Sequence, residues 1–268
     1  MGRRRKVDQE KVQKKRLKEG RGQGRGKDYL PYLRVQDVPS LGFVTRAKGW
    51  KTGRVHHLMS NHEFNYFLLL EWSGNVVDIR EQYPLLPIES TIEIADRLGI
   101  KHPADPRTKQ PVVMTTDFVV DLEADSGLVQ LARAIKPAAD LAGKRTVEKL
   151  EIERTFWAER KIDWGLVTDR QIPKVLASNL RSLHAAWYRN NLPKDAIRQL
   201  ARIEVTLFDK VAKGGQQMAL SAKQTDELLG LAPGSSLATA KYLLARKMWK
   251  TDMKKSLNYS STLNIRRR

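Results

Sequence analysis

The sequence predicts a mixed α/β domain followed by a mostly helical, winged-helix-type domain, on three observations. Between residues 60 and 169 the apolar patterning runs helix, three strands, helix, strand, the order of a mixed α/β unit. From about residue 172 the periodicity turns helical. Towards the C-terminus two helices flank a Pro-Gly-Ser-Ser turn and a basic hairpin follows, which is winged-helix order.

Residues 1–27 read as a mobile basic arm, with four glycines between positions 20 and 26 and no apolar face. Residues 28–170 form the α/β domain and residues 171–268 the helical one. Pro and Gly punctuate 28–55, which predicts irregular chain with short strands. Ser60 followed by Glu63 is a capping box ahead of the apolar run FNYFLLLEW. A strand follows over 75–86, and 89–111 reads as a polar loop with a helical turn. In the strand 112–122, Met114, Thr116, Phe118 and Val120 take one face and Thr115, Asp117, Val119 and Asp121 the other. In the strand 128–136, Gln130, Ala132, Ala134 and Lys136 alternate with Val129, Leu131, Arg133 and Ile135. A charged helix over 140–161 and an apolar strand over 163–169 complete the unit.

Composition narrows the function. The formal charge is +19, of which residues 1–27 supply +9 and residues 240–268 supply +8, leaving a nearly neutral body. Two basic ends suit a polyanion whose counterions are released on binding, most simply nucleic acid. Arg21, Arg25 and Lys27 in the arm and Lys250, Lys254 and Lys255 in the wing are the candidate phosphate contacts. Cysteine is absent, which removes disulfides, cysteine–zinc sites and thiol catalysis and fits a reducing cytoplasm. No run reaches the apolar length of a membrane span, and the arginine-rich start lacks the apolar core of a secretory signal. No Walker loop, dinucleotide fingerprint or zinc spacing is present.

One constellation carries chemistry. Asp117 and Lys136 lie on strands joined by a short turn around EADSG, and Glu63 is offered by the helix upstream. Two carboxylates converging with a lysine could hold a hard divalent cation such as Mg²⁺ and hydrolyse a phosphodiester, the lysine orienting or deprotonating water or stabilising the phosphorane. Each residue has a plain reading as well: Glu63 as the third member of the capping box, Asp117 bonded to a loop amide, Lys136 leaving a strand end for solvent.

The stretches EGRGQGRGKDYLPYLRVQDVPS, KTGRVHHLMSNHEFNYFLLLEW, VVDIREQYPLLP, TTDFVVD, IKPA and EKLEIER, in this order, resemble the TnsA family, the endonuclease subunits of heteromeric cut-and-paste bacterial transposases. The resemblance covers most of 18–170 and continues more weakly beyond. It implies a restriction-endonuclease-like catalytic domain and a winged-helix-type domain. It also implies Mg²⁺ as cofactor, with Mn²⁺ able to substitute, and cleavage of the 5′ strands at transposon ends. The implied partners are a DDE-class transposase subunit (TnsB-like) and an AAA+ ATPase regulator (TnsC-like). Glu63, Asp117 and Lys136 match the family's catalytic residues, and the Ile135 carbonyl joins Glu63 and Asp117 as a metal ligand. The wing lysines would serve DNA or the ATPase.

One position departs from the pattern. Where the family has an acid or glutamine two residues before the lysine, this chain has Ala134, whose methyl ligates nothing. Three readings stand: a weaker hold on the metal, substitution by another carboxylate such as Glu153, or an impaired nuclease, the protein then being a DNA- and protein-binding assembly subunit. The first is the one carried forward. Gln130 lies about 13 Å back along the strand and cannot replace it. His56, His57 and His62 read as surface or DNA-proximal residues, and Trp72, Trp157, Trp164 and Trp187 as core, while Trp249 fits either place.

Overall fold

The structure, a computed structural model, describes residues 8–37, 43–213 and 215–268; the first seven residues of the expected arm lie outside the described residues. The chain divides into two units, Met1–Ile172 and Pro173–Arg268.

The first unit is built on a four-stranded sheet of order β3-β4-β5-β6, with β3 Val76–Pro84, β4 Thr115–Ala124, β5 Gly127–Lys136 and β6 Asp163–Thr168. β3, β4 and β5 are antiparallel neighbours, and β6 returns parallel to β5 through a connection that contains the helix α4 Lys144–Glu159. A parallel return needs such a crossover. The two faces that alternate in 112–122 are both covered, every residue from Thr116 to Asp121 being buried. The polar members tolerate this because they are bonded: Thr116 Oγ1 accepts from Trp157 Nε1 at 2.6 Å, and Asp121 accepts from Arg80 and Gln130. The β4 ladder starts at Thr115 rather than 112.

Small residues on β5 let helices approach closely. Val119 and Ala132 pack with Ile152, Phe156 and Trp157 of α4 and with Ile94 and Ala95 of α3 Ile88–Arg97, forming one core. Helix α3 corrects the expected polar loop: Ile88, Thr91, Ile94 and Ala95 bury one stripe at helical spacing, which the surrounding charges disguise in the sequence. Helix α2 Asn61–Trp72 forms where the capping box predicted, and its Tyr66 ring packs on Phe118 at 5.8 Å. A hairpin of β1 Thr45–Lys48 and β2 Val55–Leu58 completes the unit.

Over residues 8–27 the expected arm is instead folded onto this unit. Helix α1 Gln9–Lys18 is capped by Asp8 and tied by Gln9, whose amide N–H donates to Gln110 and whose side chain donates to Asp105. The glycines after it make turns of positive φ. At Gly22 (φ 78°) a Cβ would stand 2.3 Å from Cγ of Pro84, so the close approach of this loop to the end of β3 requires glycine there.

The second unit is helical: α5 Lys174–Leu183, α6 Lys194–Arg198, α7 Leu200–Phe208, α8 Met218–Leu229 and α9 Ser235–Ala245. Asp226 bridges the α8–α9 turn, accepting from the amides of Gly234 and Ser236 at 2.7 and 2.8 Å. The closing ribbon pairs only β7 Trp249–Lys250 with β8 Arg266–Arg267. Trp249 belongs to the core of this unit at 2% exposure, its Nε1 donating to Glu204. No described helix is long and apolar enough to cross a membrane.

Candidate active site

The ends of β4 and β5 bring Asp117 and Lys136 together. The β4–β5 ladder closes on the pair Phe118–Arg133. Beyond it a side chain takes over from the backbone: the Ile135 amide donates to Oδ2 of Asp117 at 2.7 Å. The Lys136 ammonium donates to the same oxygen at 2.9 Å and to the Ile135 carbonyl at 2.9 Å. Lys136 therefore does not simply leave for solvent. Burial works against its charge, and Asp117, with Glu153 and Glu63 behind it, holds its pKa above the ordinary lysine range.

Glu63 is both the cap and part of this cluster. Its amide donates to Ser60 Oγ at 3.1 Å, while its carboxylate accepts from Ser60 Oγ at 3.0 Å and from the Met59 amide at 2.9 Å. Burial, and after it the charge of Asp117, raise its pKa to about 7 against the pull of those hydrogen bonds and of Lys136. Glu153, on α4, is raised to about 7 by the same two causes and accepts from Trp164 Nε1 at 3.0 Å. Three carboxyls thus share one field of negative charge with a single lysine among them.

Sequence reasoning missed Gln82. It is 3% exposed and stands inside β3 at φ 49°, a left-handed conformation that costs a non-glycine residue about 1–3 kcal/mol. Its Nε2 donates to Glu63 Oε2 at 3.3 Å and its Oε1 accepts from Thr115 Oγ1 at 3.1 Å. A lone glutamine in a strand pattern carries no signal; the strained φ that marks it is invisible in the sequence. Ala134 is fully buried beside the cluster, between β4 and Leu166 of β6.

The remaining candidates separate from this centre. His56 is buried rather than at the surface: its Nδ1 lies 2.8 Å from Glu81 and its Nε2 2.8 Å from Thr52. His57 Nδ1 accepts from the Val35 amide, and His62 is half-buried. Arg21, expected on phosphate, is buried and paired with Glu19 and Asp37 at 2.7 and 2.5 Å, where it ties the glycine-rich loop. Arg25 and Lys27 are exposed in the first unit, Arg25 reaching Asp121 at 3.7 Å. Lys250, Lys254 and Lys255 are exposed in the second.

The donor chemistry at the centre is all oxygen: two carboxylates and the Ile135 carbonyl, in surplus negative charge. That composition fits a hard divalent cation. Among the described residues no three His, Cys, Asp or Glu side chains gather closely enough to hold an ion, so such a set depends on the carbonyl.

Residues 73–169 match the family described as TnsA-like endonuclease N terminal, and residues 171–253 the family described as TnsA endonuclease C terminal. The chain is 43% identical over 251 residues to the transposon Tn7 transposition protein TnsA of Escherichia coli, a span covering 94% of this chain and 89% of that protein. Glu63, Asp117 and Lys136 thus sit together in a chain of matching sequence along nearly its whole length, and the chain belongs to the TnsA family of transposition endonucleases.

Proposed function

We propose that this protein is the Mg²⁺-dependent endonuclease subunit of a cut-and-paste transposase, hydrolysing the 5′ strands at the transposon ends. One observation carries the reading. Asp117 Oδ2 is shared by the Lys136 ammonium and the Ile135 amide at 2.9 and 2.7 Å, and both charges of that pair act on Glu63. A structural ion pair would explain Lys136 and Asp117. It would not explain why two further buried carboxyls, Glu63 and Glu153, crowd the same charge at a cost in ionisation.

Glu63, Asp117 and the Ile135 carbonyl would hold Mg²⁺, with Mn²⁺ able to substitute. Bound there, the cation acidifies a water and offsets charge on the phosphate. Lys136 is protonated in this arrangement, so it offers N–H donors to a phosphate oxygen or to the attacking water rather than a lone pair. The exposed basic groups, Arg25 and Lys27 in one unit and Lys250, Lys254 and Lys255 in the other, would meet DNA phosphates. A DDE-class transposase subunit and an AAA+ ATPase are the partners that the resemblance to the TnsA family implies for it.

Ala134 favours a second reading, an assembly subunit whose nuclease has lapsed. The intact Asp117–Lys136 pairing speaks against it. The test is nicking of transposon-end DNA with Mg²⁺ and the partner transposase. Loss of 5′ nicks on Asp117→Ala supports the nuclease, whereas transposition products unchanged by that substitution leave only the assembly role.

A further inference from the structure

Gln82 stands in a conformation that β3 does not need. Its neighbours pair regularly with β4, Glu81 with Phe118 and Tyr83 with Thr116, but Gln82 itself is turned to φ 49° between them. Left-handed backbone at a non-glycine residue persists where surrounding structure over-determines it, and such residues gather at functional sites. Here the surroundings are identifiable. The Gln82 carbonyl leaves the ladder to accept from the Tyr32 amide at 3.3 Å. The side chain, 3% exposed, spans from Thr115 Oγ1 to Glu63 Oε2. Thr115 lies two residues before Asp117 on β4, so the carboxamide links the strand that carries one carboxylate to the helix that carries the other.

A glutamine suits that place physically. A fourth carboxyl would add repulsion to a centre already crowded with three, and a cationic side chain would compete with Lys136 for Asp117. A neutral amide orients Glu63 without changing the charge. With Ala134 contributing no polar atom, Gln82 is the neutral side chain that ties Glu63 Oε2 to β4, while Ser60 Oγ holds Glu63 Oε1 from within the cap of its own helix.

We infer that Gln82 is a positioning residue of the nuclease site, its carboxamide fixing Glu63 against the end of β4 so that Glu63 and Asp117 face one cation. The inference rests on the reading of Glu63 and Asp117 as cation ligands. Gln82 acts through Glu63 and is assigned no contact with DNA.

The test uses the full-length protein with two substitutions. Gln82→Met keeps the bulk and removes the amide. Gln82→Gly removes the side chain and accepts positive φ freely, so it keeps the fold should Met fail to. Mn²⁺ affinity is read by titration calorimetry and by the Mn²⁺ electron-spin signal, both without DNA. Cleavage of transposon-end DNA is read with the partner transposase, and thermal midpoints are recorded in parallel. The expected result is Mn²⁺ binding weakened by about tenfold or more in both variants, as for loss of a group orienting a ligand. Cleavage should fall in kcat with KM for DNA unchanged, and by more than the change in thermal midpoint of either variant accounts for. Parent-like Mn²⁺ affinity in Gln82→Gly overturns the inference, as does a loss of activity that follows the thermal midpoint alone. Asp117→Ala is the control that separates the two levels. If it too binds Mn²⁺ and cuts like the parent, the site reading itself falls; if it is inactive while both Gln82 variants behave as the parent, only the role of Gln82 falls.

Discussion

The β4–β5 ladder stops one residue short of Asp117 and Ala134, and the next bond across it runs from the Ile135 amide to the Asp117 carboxylate. The strand end is thus opened by an acidic side chain, with a methyl group beside it where a polar one would complete the set of oxygens. Ala134 is fully buried, so a longer side chain must displace its neighbours. Ala134→Gln is expected to lower stability by about 1–3 kcal/mol through overpacking. It is also expected to tighten Mn²⁺ binding about tenfold by adding an oxygen donor. Urea denaturation and calorimetric titration check the two halves separately. Unchanged affinity would show that the alanine is not what limits cation binding.

Lys136 supplies a charge that no neighbour duplicates at the Asp117 oxygen. Lys136→Met is expected to reduce strand cleavage by about 10²–10³, the range for removing one preorganised donor from a developing anion. Lys136→Arg keeps the charge but spreads it over a planar fork, and should recover only part of that loss. Single-turnover cleavage with the partner transposase in excess measures both. Equal rates for Met and parent would reduce the lysine to a structural role.

Much of this was legible in the sequence, for identifiable reasons. The capping box announced α2 because Ser60 and Glu63 interact locally. The β4 and β5 alternation placed Asp117 and Lys136 on adjoining strands joined by a short turn, and register did the rest. What could not be read was set by distant partners. Arg21 looked like a phosphate ligand because its mates, Glu19 and Asp37, become a clamp only when the loop folds. The glycines around it looked like a flexible linker, since the sequence records that φ is free and not that Pro84 demands it. His56 looked exposed among polar residues, but Glu81, twenty-five residues away, makes its burial tolerable. Gln82 had no periodic signature at all.

That Glu81 network gives a stability prediction. Glu81 is fully buried and is held ionised, despite burial, by His56 and Arg54; its carboxylate accepts from Arg54 at 2.6 and 2.8 Å and from the His57 amide at 3.0 Å. The Arg54 side chain is only 8% exposed. Glu81→Ala strands that guanidinium and is expected to cost about 3–5 kcal/mol, the range for breaking one half of a buried pair. Replacing Arg54 and Glu81 together by apolar residues should cost less than the single substitution, because no unpaired charge remains. Denaturant midpoints of the three proteins decide it.

The outer face of α1 carries the exposed residues Lys11, Lys14, Lys15 and Lys18, while Val12, Gln13, Arg16 and Leu17 turn inward. Lys11, Lys14 and Lys15 already have acidic neighbours within 4.0 Å, at Asp8, Glu10 and Glu19. Each lysine that meets a phosphate adds about 0.9 to the slope of log affinity against log salt. Changing all four to glutamine is expected to lower the slope by about 1–3, less than four full contacts because the carboxylates compete. Binding isotherms on transposon-end DNA at several salt concentrations measure the slope, and an unchanged slope would remove α1 from the DNA interface.

Glu71, outside the nuclease centre, should make stability depend on pH in a direction that follows from its surroundings. Its Oε2 accepts from the Trp50 and Lys51 amides at 2.5 and 3.0 Å, while Oε1 is buried without a hydrogen-bond partner. Burial raises its pKa from 4.5 to about 7, only partly offset by those amides and by Lys51. A carboxyl with a raised folded pKa favours the fold while protonated. Its contribution is complete below 4.5, is lost as pH rises through about 7, and is flat above that. Glu71→Gln keeps a carbonyl oxygen for both amides and removes the ionisation. It should leave stability nearly unchanged at pH 4.5 and raise it at about pH 8 by on the order of 3 kcal/mol, the shift expressed as free energy. Glu63 and Glu153 titrate in the same window, so the comparison must be between the two proteins at each pH, not along the parent's curve alone. A difference in denaturant midpoint that stays constant from acid to alkaline buffer would show that Glu71 is not buried as an acid in the folded chain.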